Sequence, residues 1–216
     1  MNATESFHKK IKRIIPRNLL IQRLNPDAPN CILLTFDDGP DPRITPAVLE
    51  RLETYRARAI FFLAGRCIEK APHLLKLIQK QGHLIGNHTY IHSNGSQPWF
   101  LKYWHDLIRC QETIERYTGE RPSLFRPAGG TISFTTLTVP WIIGLKTVTW
   151  SLESGDWRCK SIDQAQEAAK QLIRNVRSGD VVQLHDDNRY VLEILDLILP
   201  AIQYPRHDLT QGIGFL

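Results

Sequence analysis

Two carboxylates and two imidazoles, set as Asp37-Asp38 and His88-Thr89-Tyr90-Ile91-His92, are the residues of this chain best spaced for chemistry. Adjacent carboxylates at a strand end repel one another and lose solvation. Such a pair calls for a nearby cation, or for a proton on one member. His88 and His92, four residues apart, can meet one ion from a single helical turn or a tight loop. Two histidines and one carboxylate make a common open site for zinc or a similar divalent ion. One acid can then ligate the ion while the other serves as base to a water. Neither motif decides alone. Asp37-Asp38-Gly39-Pro40 is also good turn chemistry, and two loop histidines can stand exposed without a ligand.

The elements that must position these groups alternate between strand and helix. Cys31 to Phe36 is a short apolar run that reaches the two acids, and it reads as a buried strand. Thr45-Pro46, followed by Val48, Leu49 and Leu52, reads as an N-capped helix with proline at its first position. Ala59–Leu63 is the next buried strand, and residues 71–81 form an amphipathic helix closed by Gly82. A short strand follows over residues 83–86, then a polar loop over 87–96 and a long helix over 99–117, ended by Gly119. Residues 123–125 and 146–150 are strand candidates, Ser161 to Val176 a helix ended by Gly179, and 180–184 a strand followed by a helix to Ile202. This alternation implies a parallel sheet or an α/β barrel. Asp37-Asp38, His88, Arg126, Asp156 and His185 all fall just after strands, where an α/β barrel builds its active site.

Composition limits the partners. Hydrophobic residues make up 42% and charged residues 23%, as in ordinary globular proteins, and no apolar run is long enough to span a membrane. The net charge of +5 sits in residues 1–25, where Lys9, Lys10, Lys12, Arg13, Arg17 and Arg23 face only Glu5. The rest carries 21 basic and 21 acidic side chains, so nucleic acid is not an expected partner. The expected layout is a basic arm over residues 1–29 and a catalytic domain over 30–216. The arm, with apolar Ile11, Ile14 and Ile15, suits an anionic membrane surface as well as a solvated tail. No secretory leader is visible, because Pro16 breaks Ile14–Ile15 and Leu19-Leu20-Ile21 is too short. That favours a cytoplasmic location or one peripheral to the membrane. Cys31, Cys67, Cys110 and Cys159 lack metal-pair spacing and read as reduced structural thiols.

Five segments together carry a family resemblance. Thr35-Phe36-Asp37-Asp38-Gly39-Pro40 resembles the first signature of the polysaccharide deacetylases, the NodB-homology domain of carbohydrate esterase family 4. His88-Thr89-x-x-His92 resembles the second, Phe125 to Gly130 the third, Glu153 to Trp157 the fourth and Val182 to Asp186 the fifth, in the family's order. The resemblance implies a distorted (β/α) barrel of the seven-stranded type and a hydrolase that removes N-acetyl groups from an amino sugar or polysaccharide. It implies a divalent metal, zinc first, with cobalt or nickel fitting the same donors, held by Asp38, His88 and His92. It implies Asp37 as base, Arg126 holding Asp37 ionised, and His185 as acid with Asp156 beside it. Trp157 and Leu184 would wall the acetyl pocket, the Gly129 N–H would face the oxyanion, and Thr89 would bond back within the metal loop.

Ala128 and Gly129 depart from the family, which carries a second proline and an aromatic there, so a looser loop and a weaker oxyanion hole are expected. Residues 212–216 resemble the family's closing strand only weakly. Two rivals remain at this stage: a hydrolase of small non-sugar amides on the same fold, and a sugar-binding module with a residual metal site. A binding module has no use for both a base and an acid. Trp99, Phe100, Tyr103 and Trp104 share a helix face, spacing that suits core packing better than a sugar platform. His83 reads as structural.

Overall fold

The computed structural model describes residues 15–27, 30–92, 100–203 and 207–216. Along the chain run β1 (Leu20–Ile21), β2 (Leu33–Asp37), α1 (Ile44–Thr54), β3 (Ala59–Leu63), α2 (Gly65–Ile68), α3 (His73–Lys80), β4 (Leu84–Asn87) and α4 (Phe100–Thr118). They are followed by β5 (Leu124–Phe125), α5 (Phe134–Ile142), β6 (Lys146–Val148), β7 (Leu152–Glu153), α6 (Ile162–Asn175), β8 (Val181–His185) and α7 (Tyr190–Ile202). The strands form one sheet in the order β1-β6-β5-β4-β3-β2-β8-β7. Every pair is parallel. The expected α/β barrel is present as a curled, open sheet. Its strands number eight among the described residues where the resemblance implies seven, with two-residue β1 and β7 at its edges.

Strand alternation divides the core. Leu34, Phe36, Phe61, Leu63, Val182 and Leu184 point to the helices and pack with Leu49, Leu172 and Ile198. Their strand neighbours Leu33, Ile60, Phe62 and Val181 form a second cluster on the other face. Helix α7 meets the sheet through Val191, Ile194, Leu195 and Ile198, the i, i+3, i+4, i+7 pattern of a one-sided helix. Each large apolar side chain so buried stabilises the fold by about 1.5–3 kcal/mol. All four cysteines are free thiols.

Several expectations need correction. The domain begins before residue 30, because β1 pairs with β6 and Leu20, Ile21 and Leu24 are buried. Arg23 anchors this segment on Asp180 at 2.5 Å. Residues 1–14 of the arm, with Lys9, Lys10, Lys12 and Arg13, lie outside the described residues, as do residues 93–99 with Trp99. Helix α1 starts at Ile44, so Thr45 is not its cap. The Asp41 carboxylate accepts from the Arg43 and Ile44 N–H groups, and the Asp41 N–H donates back to the Thr45 hydroxyl. Helix α6 ends at Asn175 with Val176 extended, so Gly179 shapes the turn into β8 instead of closing the helix. Tyr103 and Trp104 pack in a small cluster with Leu107 and Phe125, as core spacing predicts, while Phe100 stays 40% exposed.

Candidate active site

The site lies at the C-terminal ends of the strands. Asp37 and His185 are the last residues of β2 and β8, and the register pairs them directly. Asp37, Asp38, His88, His92, Gly129, Trp157, His185 and Gln183 line one cleft of about 480 Å³. Arg126 and Asp156 stand behind it, both fully buried.

After β2 the chain enters the left-handed region at Asp38, with φ 75°. His88 follows β4, and Thr89 and His92 also take positive φ, 68° and 53°. These turns bring Asp38, His88 and His92 together, one ligand atom from each lying within 4.8 Å of the others. The loop is held from three sides. The Asn87 carboxamide oxygen accepts the Thr89 N–H at 2.8 Å, and the Thr89 hydroxyl accepts the His92 N–H at 3.0 Å, as expected for Thr89. The Asp106 carboxylate on α4 takes the Tyr90 and Ile91 N–H groups.

This donor set fits a divalent cation. His88 Nδ1 lies 2.8 Å from the Arg126 carbonyl, which can only accept, so Nδ1 carries the proton and Nε2 offers a lone pair. That Nε2 is 3.2 Å from Asp38 Oδ1, and His92 Nε2 is 2.8 Å from the same oxygen. Asp38 Oδ1 is buried and has no properly formed hydrogen bond, although both nitrogens are close. With the His88 proton on Nδ1, its Nε2 and Asp38 Oδ1 meet as two acceptors, an arrangement that calls for a cation between them. Burial works against the Asp38 charge; when the two imidazoles carry protons on Nε2 they outweigh it and hold the carboxyl far below its ordinary range, the part that a bound cation would otherwise take.

On one side of this cluster stands Asp37, 1% exposed. Arg126 Nη1 donates to Asp37 Oδ1 at 2.7 Å and to the Thr35 hydroxyl at 2.7 Å. Its Nε and Nη2 donate to the Val148 and Thr149 carbonyls, and Phe62 lies under the guanidinium at 4.2 Å. Burial pushes the Arg126 guanidinium down from its ordinary value, and the Asp37 charge opposes that. The other carboxylate oxygen, Oδ2, accepts from Gln183 Nε2 at 2.7 Å.

On the other side His185 Nδ1 meets Asp156 Oδ1 at 2.8 Å. Asp156 is fixed by the Ser154 hydroxyl and by the His185 N–H. Burial disfavours the imidazolium, yet the Asp156 hydrogen bond and charge, helped by Asp37 and Asp38, push His185 up to about 9. His185 is therefore a protonated imidazole at neutral pH. The turn after β5 bonds through the Gly130 and Thr131 N–H groups, to Pro127 and Ala128, and Gly129 at φ 60° faces the cleft. A Cβ at Gly129 would meet nothing within 4 Å, so no side chain fills the space that the departure at this loop leaves.

The structure corrects one site residue. Leu184 does not wall the cleft: it is fully buried among Phe36, Val182 and the helix residues. Its neighbour Gln183 takes the cleft side, because successive strand residues alternate faces. Trp157, 53% exposed, does stand at the cleft, its indole N–H bound to Glu153. Thr35, Gln183, Asp106 and Ser154 were missed in the sequence. Thr35 and Gln183 were open to discovery, since each is two residues from Asp37 or His185 on the same strand face. Asp106 had no local signal. His83 is structural as expected, accepting the Ala59 N–H.

A family model described as polysaccharide deacetylase matches residues 25–151. A peptidoglycan-N-acetylglucosamine deacetylase of Bacillus cereus is 36% identical over 183 residues, 82% of this chain and 84% of that one. Peptidoglycan-N-acetylglucosamine deacetylase PgdA of Listeria monocytogenes is 27% identical over 210 residues, 95% of this chain, which spans 42% of PgdA. The crystal structure of the Bc1960 peptidoglycan N-acetylglucosamine deacetylase superposes with a TM-score of 0.78 at 30% identity, covering 91% of this chain and 88% of that one. Since the match runs through the loops that gather Asp38, His88 and His92 as well as through the sheet, the chain belongs to the polysaccharide deacetylase family.

Proposed function

We propose that this protein is a zinc-dependent N-deacetylase of an N-acetylated glycan, with Asp38, His88 and His92 as ligands. The observation that carries the reading is a three-acceptor cation site flanked by a buried carboxylate on one strand and a protonated imidazole on the next. When bound, the divalent ion supplies Lewis-acid polarisation and charge stabilisation. Asp37 accepts a proton from the attacking water, held in orientation by Arg126 and Gln183. The Gly129 N–H faces the oxygen on which negative charge develops. His185 donates its proton to the departing amine, which leaves poorly without one. Asp156 keeps His185 charged until that step.

A glycan fits better than a small closed-in amide. The cleft adjoins a second hollow of about 470 Å³ that shares Asp38 and Trp157 and continues past Arg43, Asn188 and Arg189. Trp157 offers an exposed indole at the junction, a surface on which a sugar ring can stack. Metal analysis of the purified protein, combined with acetate release from N-acetylglucosamine oligomers and from peptidoglycan, tests the proposal. The expected result is release that a chelator abolishes and zinc restores. Full activity in metal-free protein would overturn it.

A further inference from the structure

At the other end of the sheet, away from the Asp38 cleft, the chain builds a second site. A hollow of about 740 Å³ opens where β3 and β4 begin. That volume is in the range of small-molecule sites. Arg56 and Arg58 reach it from the turn between α1 and β3, and Lys80 and Gln81 from the end of α3. None of the three cations has an ion pair or a side-chain hydrogen bond among the described residues. The one acid in the lining, Glu53, accepts from Gln81 Nε2 at 3.3 Å.

Two buried groups mark this hollow as more than a basic surface. His83, 4% exposed, lines it. Its Nδ1 accepts the Ala59 N–H at 3.2 Å, so the neutral ring carries its proton on Nε2. Burial, then the Arg58 charge, keeps the ring neutral by holding its pKa down to about 4. Nε2 is buried without a partner. It is a donor lacking an acceptor, and such groups are uncommon in folded proteins. Gln81 Oε1 is the converse, a buried acceptor without a donor. It must be the oxygen, because Glu53 can only accept and so fixes the amide nitrogen toward itself.

From these groups we infer that the hollow is a binding site for a small phosphomonoester carrying at least one free hydroxyl, such as a polyol or sugar phosphate. Arg56, Arg58 and Lys80 match a dianion, and a small shift of the side chains that cover them would open His83 Nε2–H to its oxygens and Gln81 Oε1 to the hydroxyl. This inference is independent of the hydrolytic reading, since no residue of it lies in the Asp38 cleft.

Isothermal titration of the full chain with glycerol 3-phosphate, inorganic phosphate and glycerol tests it, with phosphatidylglycerol vesicles as a separate arm. Glycerol 3-phosphate should bind more tightly than phosphate, and glycerol should not bind. Arg58→Ala and Arg56→Gly should each weaken binding by about tenfold, the scale of one charge-assisted contact. Arg56→Gly is a safe variant, because Arg56 sits at φ 50°, a conformation that glycine adopts freely. The His83 Nε2–H resonance should shift on titration, and His92→Ala should bind normally. Unchanged affinity in the double Arg variant would overturn the site. Loss of binding in His92→Ala would do so too, by placing the phosphate in the Asp38 cleft. Binding of vesicles without binding of glycerol 3-phosphate would replace it with a membrane contact.

Discussion

Replacing Arg126 by methionine should unfold the protein more readily than any change at the cleft rim. The guanidinium is fully buried and serves four acceptors: Asp37, Thr35 and the Val148 and Thr149 carbonyls. Methionine fills much of the volume but leaves Asp37 as a buried charge with the Gln183 N–H as its one side-chain hydrogen bond among the described residues. Breaking one side of a buried pair costs about 3–5 kcal/mol, and two stranded carbonyls push the cost toward the upper end. For a chain of this length each kcal/mol lowers Tm by roughly 2–4 °C, so the drop should be about 6–20 °C. Asp37→Asn should cost less, since its carbonyl oxygen can still accept from Arg126. The decisive comparison is the double variant. With the charge at 37 gone, Arg126→Met should hurt less than in the wild type, giving a coupling of about 1–3 kcal/mol. Urea unfolding of the four proteins measures it. A single cost under about 1 kcal/mol, or strictly additive costs, would refute the claim that these two groups hold one another in place.

Four further outcomes follow from the same geometry. Asp37→Asn should lose nearly all acetate release yet still bind a divalent metal by metal analysis; loss of the metal would mean that the roles of Asp37 and Asp38 are exchanged. His185→Ala should slow an acetamido sugar by about 10²–10⁴-fold, and an acetate ester of an activated phenol far less; equal losses would end the case for proton donation. His185 is held up to about 9, so its proton is available below that pH and activity should fall as pH rises through about 9. In Asp156→Asn that alkaline limb should move to lower pH, and a fixed limb in the pH–rate profile would rule out His185 as its source. Gln183→Leu should keep the fold by thermal melting but lower kcat, because Asp37 Oδ2 loses the Gln183 donor; an unchanged kcat would remove Gln183 from the machinery.

Much of this was legible in the sequence because the information was local. The buried strands announce themselves as apolar runs, and the site residues fall where those runs stop. What failed was short or non-local. The strands at Leu20–Ile21 and Leu152–Glu153 are too brief to carry a period. Helix α5 was invisible because Phe134 to Ile142 is rich in threonine and contains Pro140, although Ser133 and Thr136 form a capping box that a closer reading could use. Leu184 was misplaced for a different reason. Its identity suits an apolar wall, but the parity of β8 puts Gln183 and not Leu184 on the face of His185. Asp106 could not be found at all, since only the packing of α4 against the metal loop brings its carboxylate to Tyr90 and Ile91.

The sheet order explains why the proposed base and acid come from distant parts of the chain. β2 and β8 are neighbours in the sheet although five strands separate them in sequence, and their register pairs Asp37 with His185. Parallel neighbours lie about 4.8 Å apart. Two side chains on the same rung and the same face therefore stand on either side of a group the size of an amide. Arg126 and Asp156 each pin one of them from behind. The His88–His92 loop closes the third side from β4, across β3. A one-residue slip of β8 against β2 would turn His185 into the helix layer and bring Leu184 to the cleft. The apolar contacts of Val182 and Leu184 with Phe36 and the helices are thus what keep His185 opposite Asp37. Charge placement at the cleft depends on packing beneath it: opening a cavity on the helix side, for instance by Leu184→Ala, should lower turnover as well as stability, although Leu184 does not line the cleft.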